Sequence, residues 1–465
     1  MTEISKAVKS GLSDERIQLM KESLMNDSDV KRESTLQTLM DLSVRDENRQ
    51  KLCTREAGLV PILCELLHSD VNFSSKKKII TVFAELAAWK ENKLVLGAES
   101  LGLSALMFTF INNVDVRLLV FIFFLNCALE PVNHEYYLSE RLGIATYIRQ
   151  EMIRSTSFVY PYWFFTNIAA TGDEIVISIL LKWKIHELFM NCLLFAGADP
   201  AQWIDRSQGA AFRSLFSIFY LSVFSDEVRY ALLKIPGILE YFTALFQSYE
   251  RERIPASMIL CNLSSVVAPD SARGITSQVQ DKSIIDLLVT VFYADVFYET
   301  DRLSPYVQKY RRLGYNYGIF KLRSVTASLR QLALQPENRQ MMLLHQDLLK
   351  LCKTALQSFI EDAPEFHAVG IYYQMIQHGG GGGDDVDTAE FILELLLLLS
   401  FDETEVESDS LGDEMVVKTL LWKTIYCDKE LQLYESMCNI ASIADERGLS
   451  VKGIETVKLL LKRLE

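Results

Sequence analysis

The chain has 465 residues, is 49% hydrophobic and 23% charged, and contains only 21 Gly and 10 Pro. This composition excludes a chain disordered throughout, and its wealth of Leu, Glu, Lys, Ala and Arg favours helices. A formal net charge of −14 disfavours binding of the whole surface to nucleic acid or anionic lipid, leaves local basic patches open and favours a basic partner.

The first residues, "MTEISKAVKSGLSDE", lack the apolar core of a signal peptide and read with residues 1–29 as an N-terminal helical cap. The longest apolar runs, "LLVFIFFL" (118–125) and "LLLLLSF" (395–401), are too short to span a bilayer. The eight Cys form no CxxC pair and most lie in apolar helical contexts, as expected for core thiols of a cytoplasmic or nuclear protein.

From residue 30 to 465 one pattern recurs. The segments "LMDLSVRDENR", "FAELAAWKENK", "FLNCALEPVNH", "FTNIAATGDEI", "FYLSVFSDEVR", "LCNLSSVVAPD", "LRQLALQPENR", "LLLLLSFDETE" and "MCNIASIADER" align on Asp41, Glu85, Asn126, Asn167, Tyr220, Asn262, Gln331, Leu398 and Asn439. Five of the steps are close to 42 residues, and the three longer ones indicate insertions. Seventeen residues after the aligned site stand Gly58, Gly102, Gly143 and Gly237, each before an apolar stretch. Glycine accepts the positive φ of a sharp corner between helices. Apolar residues recur at three- and four-residue steps, as in Leu36, Leu39, Met40 and in Leu59, Ile62, Leu63, Leu66. Each unit therefore reads as a long helix ending near the aligned site, a short helix, a glycine corner and another helix. One unit cannot bury its apolar faces, whereas stacked units share a continuous core.

This repeat resembles the armadillo superfamily, with the closest local resemblance to importin-alpha-like repeats. The resemblance implies an all-α, right-handed superhelical α-solenoid of about nine armadillo-like repeats. It places the third helix of each repeat on the concave face. It also implies a protein partner held along that groove and no enzymatic activity.

Three insertions interrupt the period, at 196–209, 294–318 and 361–390, and an acidic stretch covers 384–414. The first holds Trp203, read either as exposed or as a packed cap of an ordinary connection. The second carries a basic and tyrosine-rich run, "DRLSPYVQKYRRLGYNYGIFKLRS" (301–324), with Lys309, Tyr310, Arg311, Arg312, Tyr315 and Tyr317. Tyrosine faces stack on bases and cations contact phosphates, so an RNA-associated role is one alternative. Pairing with the protein's own acidic surface is the other. The glycine run at 379–383 is a flexible linker rather than a phosphate loop, since no Gly-Lys-Ser/Thr follows. The acids after it form either a solvated loop or a docking surface for a basic segment.

The six His have neither HExxH spacing nor Cys at zinc-ligand spacing, and no GxSxG or GxGxxG pattern occurs. No catalytic residue, metal site or cofactor is expected.

The most distinctive local motif is "YWFFTNIAATGDE" (162–174). Trp163 and Asn167 are one helical turn apart and point the same way. In importin-alpha-like repeats such a pair binds an extended basic peptide: the Asn amide pairs with its backbone and Trp rings form slots for Lys and Arg stems. The resemblance implies the same for Trp163 and Asn167. It extends as a row through Asn126, Glu85 and Asp41, with Asn262 further along. No other aligned site has a Trp four residues earlier, so the ladder of the transport receptors is absent. Trp163 and Asn167 are therefore either repeat packing or a single recognition pocket. The expected function is a protein-interaction scaffold or adaptor; the alternatives are a divergent import adaptor for basic peptides and the RNA-associated factor.

Overall fold

The computed structural model describes residues 12–26, 28–97, 101–203, 209–248, 252–264, 282–297, 301–313, 322–361, 383–400, 433–444 and 449–464. Tyr315, Tyr317, residues 1–11 of the expected cap and residues 401–414 of the acidic stretch lie outside them.

Every regular element among these residues is a helix, and the helices stack as armadillo-like units. The first unit supplies α1 (Asp14–Leu24) and α2 (Asp29–Ser43). The second is the triplet α3 (Asp46–Cys53), α4 (Leu59–His68) and α5 (Phe73–Leu86). The third is α6 (Lys90–Leu96), α7 (Leu101–Thr109) and α8 (Arg117–Cys127), and the fourth α9 (Val132–Leu138), α10 (Ile144–Arg154) and α11 (Val159–Ala169). The fifth is α12 (Glu174–Lys182), α13 (Ile185–Ala196) and α14 (Ala210–Phe224), and the sixth α15 (Asp226–Leu233), α16 (Ile238–Ser248) and α17 (Arg253–Ser264). Then come α18 (Lys282–Phe297), an additional helix α19 (Pro305–Arg312) and α20 (Leu322–Leu332). The eighth unit is α21 (Pro336–Leu343), α22 (Gln346–Glu361) and α23 (Gly383–Leu399), and the chain closes with α24 (Leu433–Ile443) and α25 (Val451–Leu464). Polar side chains start several of these helices: Ser13, Asn72, Asp173 and Ser225 each accept a bond from a first-turn backbone N–H.

The third helices form one continuous row, in which α2, α5, α8, α11, α14, α17, α20, α23 and α25 each pack on the next. The core runs between this row and the other helices, through residues such as Leu36, Phe83, Phe124, Phe165, Phe219 and Leu263. Aligned residues from Asp41 to Leu398 all fall within the last turn or so of a third helix. Asn439 does not. Its helix α24 packs on α22 in the second-helix place, and α25 takes the third place against α23. The other insertions also shift: α18 runs into 294–318, and α23 begins at Gly383 and takes in the first acids of the acidic stretch. Trp203, the candidate exposed residue of the first insertion, is buried, and its Nε1 donates to the Gly197 carbonyl at 2.9 Å.

The glycine corner holds in three of four places. Gly58, Gly143 and Gly237 have φ of 60°, 68° and 75°. Gly102 instead lies within α7. The fifth unit has Lys184 at the equivalent position, with φ 56°.

A further repeated device ties units together. Seven residues after the aligned site stand Asn48, Asn92, Asn133 and Asn338, all buried on first helices. Each Nδ2 donates to a carbonyl six residues back: Leu42 (3.3 Å), Leu86 (3.0 Å), Cys127 (2.8 Å) and Leu332 (3.1 Å). These are helix-end carbonyls that otherwise accept only an N–H three residues on. Asn92 and Asn133 also donate to the carbonyls of Arg49 (2.9 Å) and Lys93 (3.0 Å) of the preceding first helix. The sixth unit replaces the amide with Arg229, whose Nη1 donates to the Ser222 (2.7 Å) and Val223 (3.1 Å) carbonyls.

Beside Asn133, two ionisable groups are buried at a cost. Lys93 is fully buried and its Nζ meets no acceptor; burial pushes its pKa from 10.5 down to about 8. His134 is buried with Nε2 2.7 Å from the Ala128 carbonyl, and burial pushes its pKa from 6.5 down to about 4.

Three outcomes follow from these contacts. Replacing Lys184 with Gly relieves a left-handed backbone and raises stability by about 1 kcal/mol in denaturant unfolding. Between pH 8 and 10.5 the unfolded chain holds a proton on Lys93 that the folded chain has released, so stability rises with pH there. Lys93→Met removes that rise and stabilises the protein at neutral pH by about 3 kcal/mol at most. As pH falls from 6.5 to 4, the unfolded chain takes up a proton on His134 that the folded chain refuses. Stability is lost across that window, and His134→Gln, measured by thermal unfolding against pH, flattens it.

Candidate partner-binding groove

The concave face is read along the third helices at the aligned site and four and eight residues before it. In the first unit Gln37 and Asp41 are exposed on α2, and the Gln37 Nε2 donates to the Asp41 carboxylate at 3.1 Å. In the second, Lys77 is exposed and Thr81 and Glu85 are half-buried. Glu85 accepts from the Arg49 Nη2 at 2.9 Å, and Arg49 also holds Asp46 at 2.6 Å and donates to the Ser43 carbonyl at 2.9 Å. Glu85 is thus engaged by a cation of its own unit.

On α8 the surface turns apolar. Val114, just before the helix, is 85% exposed, Leu118 is 46% exposed, and Ile122 is half-buried one turn on. Leu118 and Ile122 are one helical turn apart and share a face, and Val114 stands in the turn that leads into it. Arg117 beside them lies 4.9 Å from the Phe158 ring and pairs with the Glu151 carboxylate. In the fourth unit Trp163 and Val159, four and eight residues before the aligned site, are half-buried, as is the neighbouring Tyr160.

The face then closes. In the fifth unit the equivalent residues are Phe212, Phe216 and Tyr220, all buried, with ring centroids 4.9 and 6.3 Å apart in succession. All residues of α14 from Ala210 to Val223 are buried. On the N-terminal side of this closure the open part of the groove is α2, α5, α8 and α11.

The structure places the asparagines of the expected row between third helices. Asn167 is 5% exposed, and its Nδ2 donates to the Leu125 carbonyl of α8 at 2.9 Å. Asn126 is buried and its Nδ2 lies 3.5 Å from the Ala84 carbonyl of α5. Asn262 donates to the Ser222 hydroxyl at 3.0 Å and accepts from the Ser328 hydroxyl at 3.2 Å, linking α14, α17 and α20. Thr166 and Ser217 make a similar hydroxyl contact between α11 and α14 at 2.7 Å. These amides face a neighbouring helix rather than an incoming peptide.

Trp163 has a cation over its ring, and the chain supplies it. The Arg213 guanidinium of α14 sits 3.9 Å from the Trp163 ring centroid. In importin-alpha-like repeats a peptide side chain would take that position.

The basic insertion divides. Lys309, Arg311 and Arg312 are exposed on α19, whereas Tyr310 is fully buried on its opposite face. Tyr306 stacks on Tyr293 with centroids 4.9 Å apart and donates to the Asp347 carboxylate at 2.6 Å. That bond raises the Tyr306 pKa to about 12. The cations of α19 are therefore not interleaved with free tyrosine faces among the described residues.

Sequence reasoning missed Val114 and Leu118. Leu118 opens the run "LLVFIFFL", whose unbroken apolarity does not show which residues face outward. The signal was the four-residue step 114, 118, 122, with the charged or polar Asp115 and Arg117 between.

No protein-family model matches the chain, and no curated protein sequence matches it. An engineered protein solved as a structural-genomics target superposes over 99% of this chain and 90% of its own, with TM-score 0.51 and 13% identity. That likeness is one of fold alone. A designed armadillo repeat protein in complex with the peptide (KR)4 covers 53% of this chain and 99% of its own, with TM-score 0.44 and 18% identity. A structure describing a phosphorylation switch in the interaction between cadherin and beta-catenin covers 99% of this chain and 96% of its own, with TM-score 0.41 and 11% identity.

Because Asn167 bonds a neighbouring helix, Asn167→Ala lowers folding stability by about 1–3 kcal/mol. Urea unfolding measures it; an unchanged midpoint would show that the Leu125 carbonyl does not need this donor.

Proposed function

We propose that the chain is a non-catalytic protein-interaction scaffold that holds a segment of a partner protein in the groove of its first four units. One observation carries this reading. In four adjacent third helices the residues four and eight before the aligned site are exposed or half-buried, while the same two positions of the fifth unit are buried. A partner segment crossing α2, α5, α8 and α11 would meet polar side chains first, at Gln37, Asp41, Lys77 and Thr81. It would then meet an apolar shelf at Val114, Leu118 and Ile122, beside Tyr160 and Trp163. Exposed apolar side chains at the centre of such a surface are where binding energy concentrates.

The engagement of Glu85 by Arg49, and of Trp163 by Arg213, supports an apolar anchor for the partner rather than a basic one at these two positions. The import-adaptor alternative has correspondingly less support, as has RNA stacking at α19, where Tyr310 is buried.

A photo-crosslinking residue at position 118 tests the proposal in cells. A partner should be captured there and lost when Val114→Asp is added. The same residue at Ile175, which is 74% exposed on a first helix, serves as the control. Equal capture from position 175, or none from 118, would contradict the groove reading.

A further inference from the structure

In a simple solenoid each unit touches only its neighbours. This chain breaks that rule between the fourth and seventh units. Helix α20 packs on α14 as well as on α17, passing over the sixth unit. At the start of α20, Arg323 places its guanidinium 4.4 Å from the ring centroid of Phe224, the last residue of α14. The Arg323 Nη1 also donates to the carbonyl of Thr171, just after α11, at 3.3 Å. The Phe224 ring in turn lies against Gly172, where an added Cβ would come within 2.8 Å of the ring and where φ is 71°. Only glycine admits both that backbone and that ring.

The contact joins the beginning of one third helix to the ends of two others. It therefore crosses the concave face instead of running along it. On the same helix α14 lie the buried rings of Phe212 and Phe216, in the register positions that are exposed or half-buried on α2, α5 and α8.

We propose that Arg323, Phe224 and the Thr171–Gly172 backbone form a clasp that holds the solenoid shut over its fifth unit. With the clasp closed, the groove ends at Trp163. With it released, the superhelix opens and the aromatic row of α14 extends the apolar shelf of the third and fourth units. The clasp is thus a conformational device that sets the length of the accessible groove, and it stands whether or not the partner reading above holds. A planar guanidinium stacked on a ring while bonding a carbonyl is specific to arginine, since lysine cannot do both in one plane.

Hydrogen exchange on the full chain tests it, with the Arg323→Met and Phe224→Leu variants alone and combined. Loss of the clasp should speed exchange in 210–224 about tenfold. Exchange in α5 and α8 should stay as in wild type, with circular dichroism confirming intact helix. The combined effect should fall short of the product of the single effects, because both variants remove the Arg323–Phe224 contact. Arg323→Lys should behave like Arg323→Met. Unchanged exchange in α14 would overturn the proposal, and so would multiplying effects in the double variant. Should Arg323→Met unfold, Phe224→Leu and Arg323→Lys give the same readout, and wild-type exchange in both would overturn it.

Discussion

The structure depends on keeping successive third helices in register. Each helical unit has more apolar surface than it can bury alone, so its stability comes from the next unit. Apolar packing favours stacking but does not fix its offset. Buried polar links do, because a misplaced amide or hydroxyl leaves unpaired groups in a dry interface. Asn167 to the Leu125 carbonyl, Thr166 to Ser217 and Asn262 between Ser222 and Ser328 supply that offset along the concave row. The first-helix asparagines do the same along the seam behind it, and ion pairs extend the row at both ends. Glu33 pairs with Lys78 between α2 and α5, and Glu394 pairs with both Arg330 of α20 and Lys452 of α25.

The accessible face follows from what these links leave over. Where the amides are turned inward, the groove is made by the residues one and two turns earlier. Those are polar on α2 and α5, apolar on α8 and aromatic on α11 and α14. The surface is graded, and the fifth unit withdraws its aromatic end from solvent. The accessible surface of this acidic chain thus has an apolar centre. Two of its most promising charged or aromatic positions, Glu85 and Trp163, are already paired with arginines of the chain.

Much of the repeat was legible because period and helix ends are local properties. The sites from Asp41 to Leu398 mark third-helix ends because a chain turns there for reasons written nearby. Place in the unit is not local: "MCNIASIADER" copies the motif, yet α24 packs on α22 in the second row. Corner chemistry also varied, since Lys184 bears a left-handed backbone that glycine supplies elsewhere and Gly102 lies inside a helix. The candidate site was less legible. Trp163 and Asn167 do share a face, but the sequence did not show that Arg213, fifty residues on, fills the slot. Nor did it show that Trp203 and Tyr310 are core residues, because an aromatic in a polar loop or basic helix gives no sign of which side it faces. The asparagines at 48, 92, 133 and 338 stand within four of the aligned segments, and only the structure revealed what they bond.

The most direct measurement is hydroxyl-radical footprinting of the wild-type protein along the third helices. An N-terminal groove open over four units and closed at the fifth predicts strong labelling at Val114 and Leu118, partial labelling at Tyr160 and Trp163, and protection of Phe212, Phe216 and Tyr220. Even labelling of the α8, α11 and α14 residues would contradict it, since the concave face would then be a uniform groove with no closed centre.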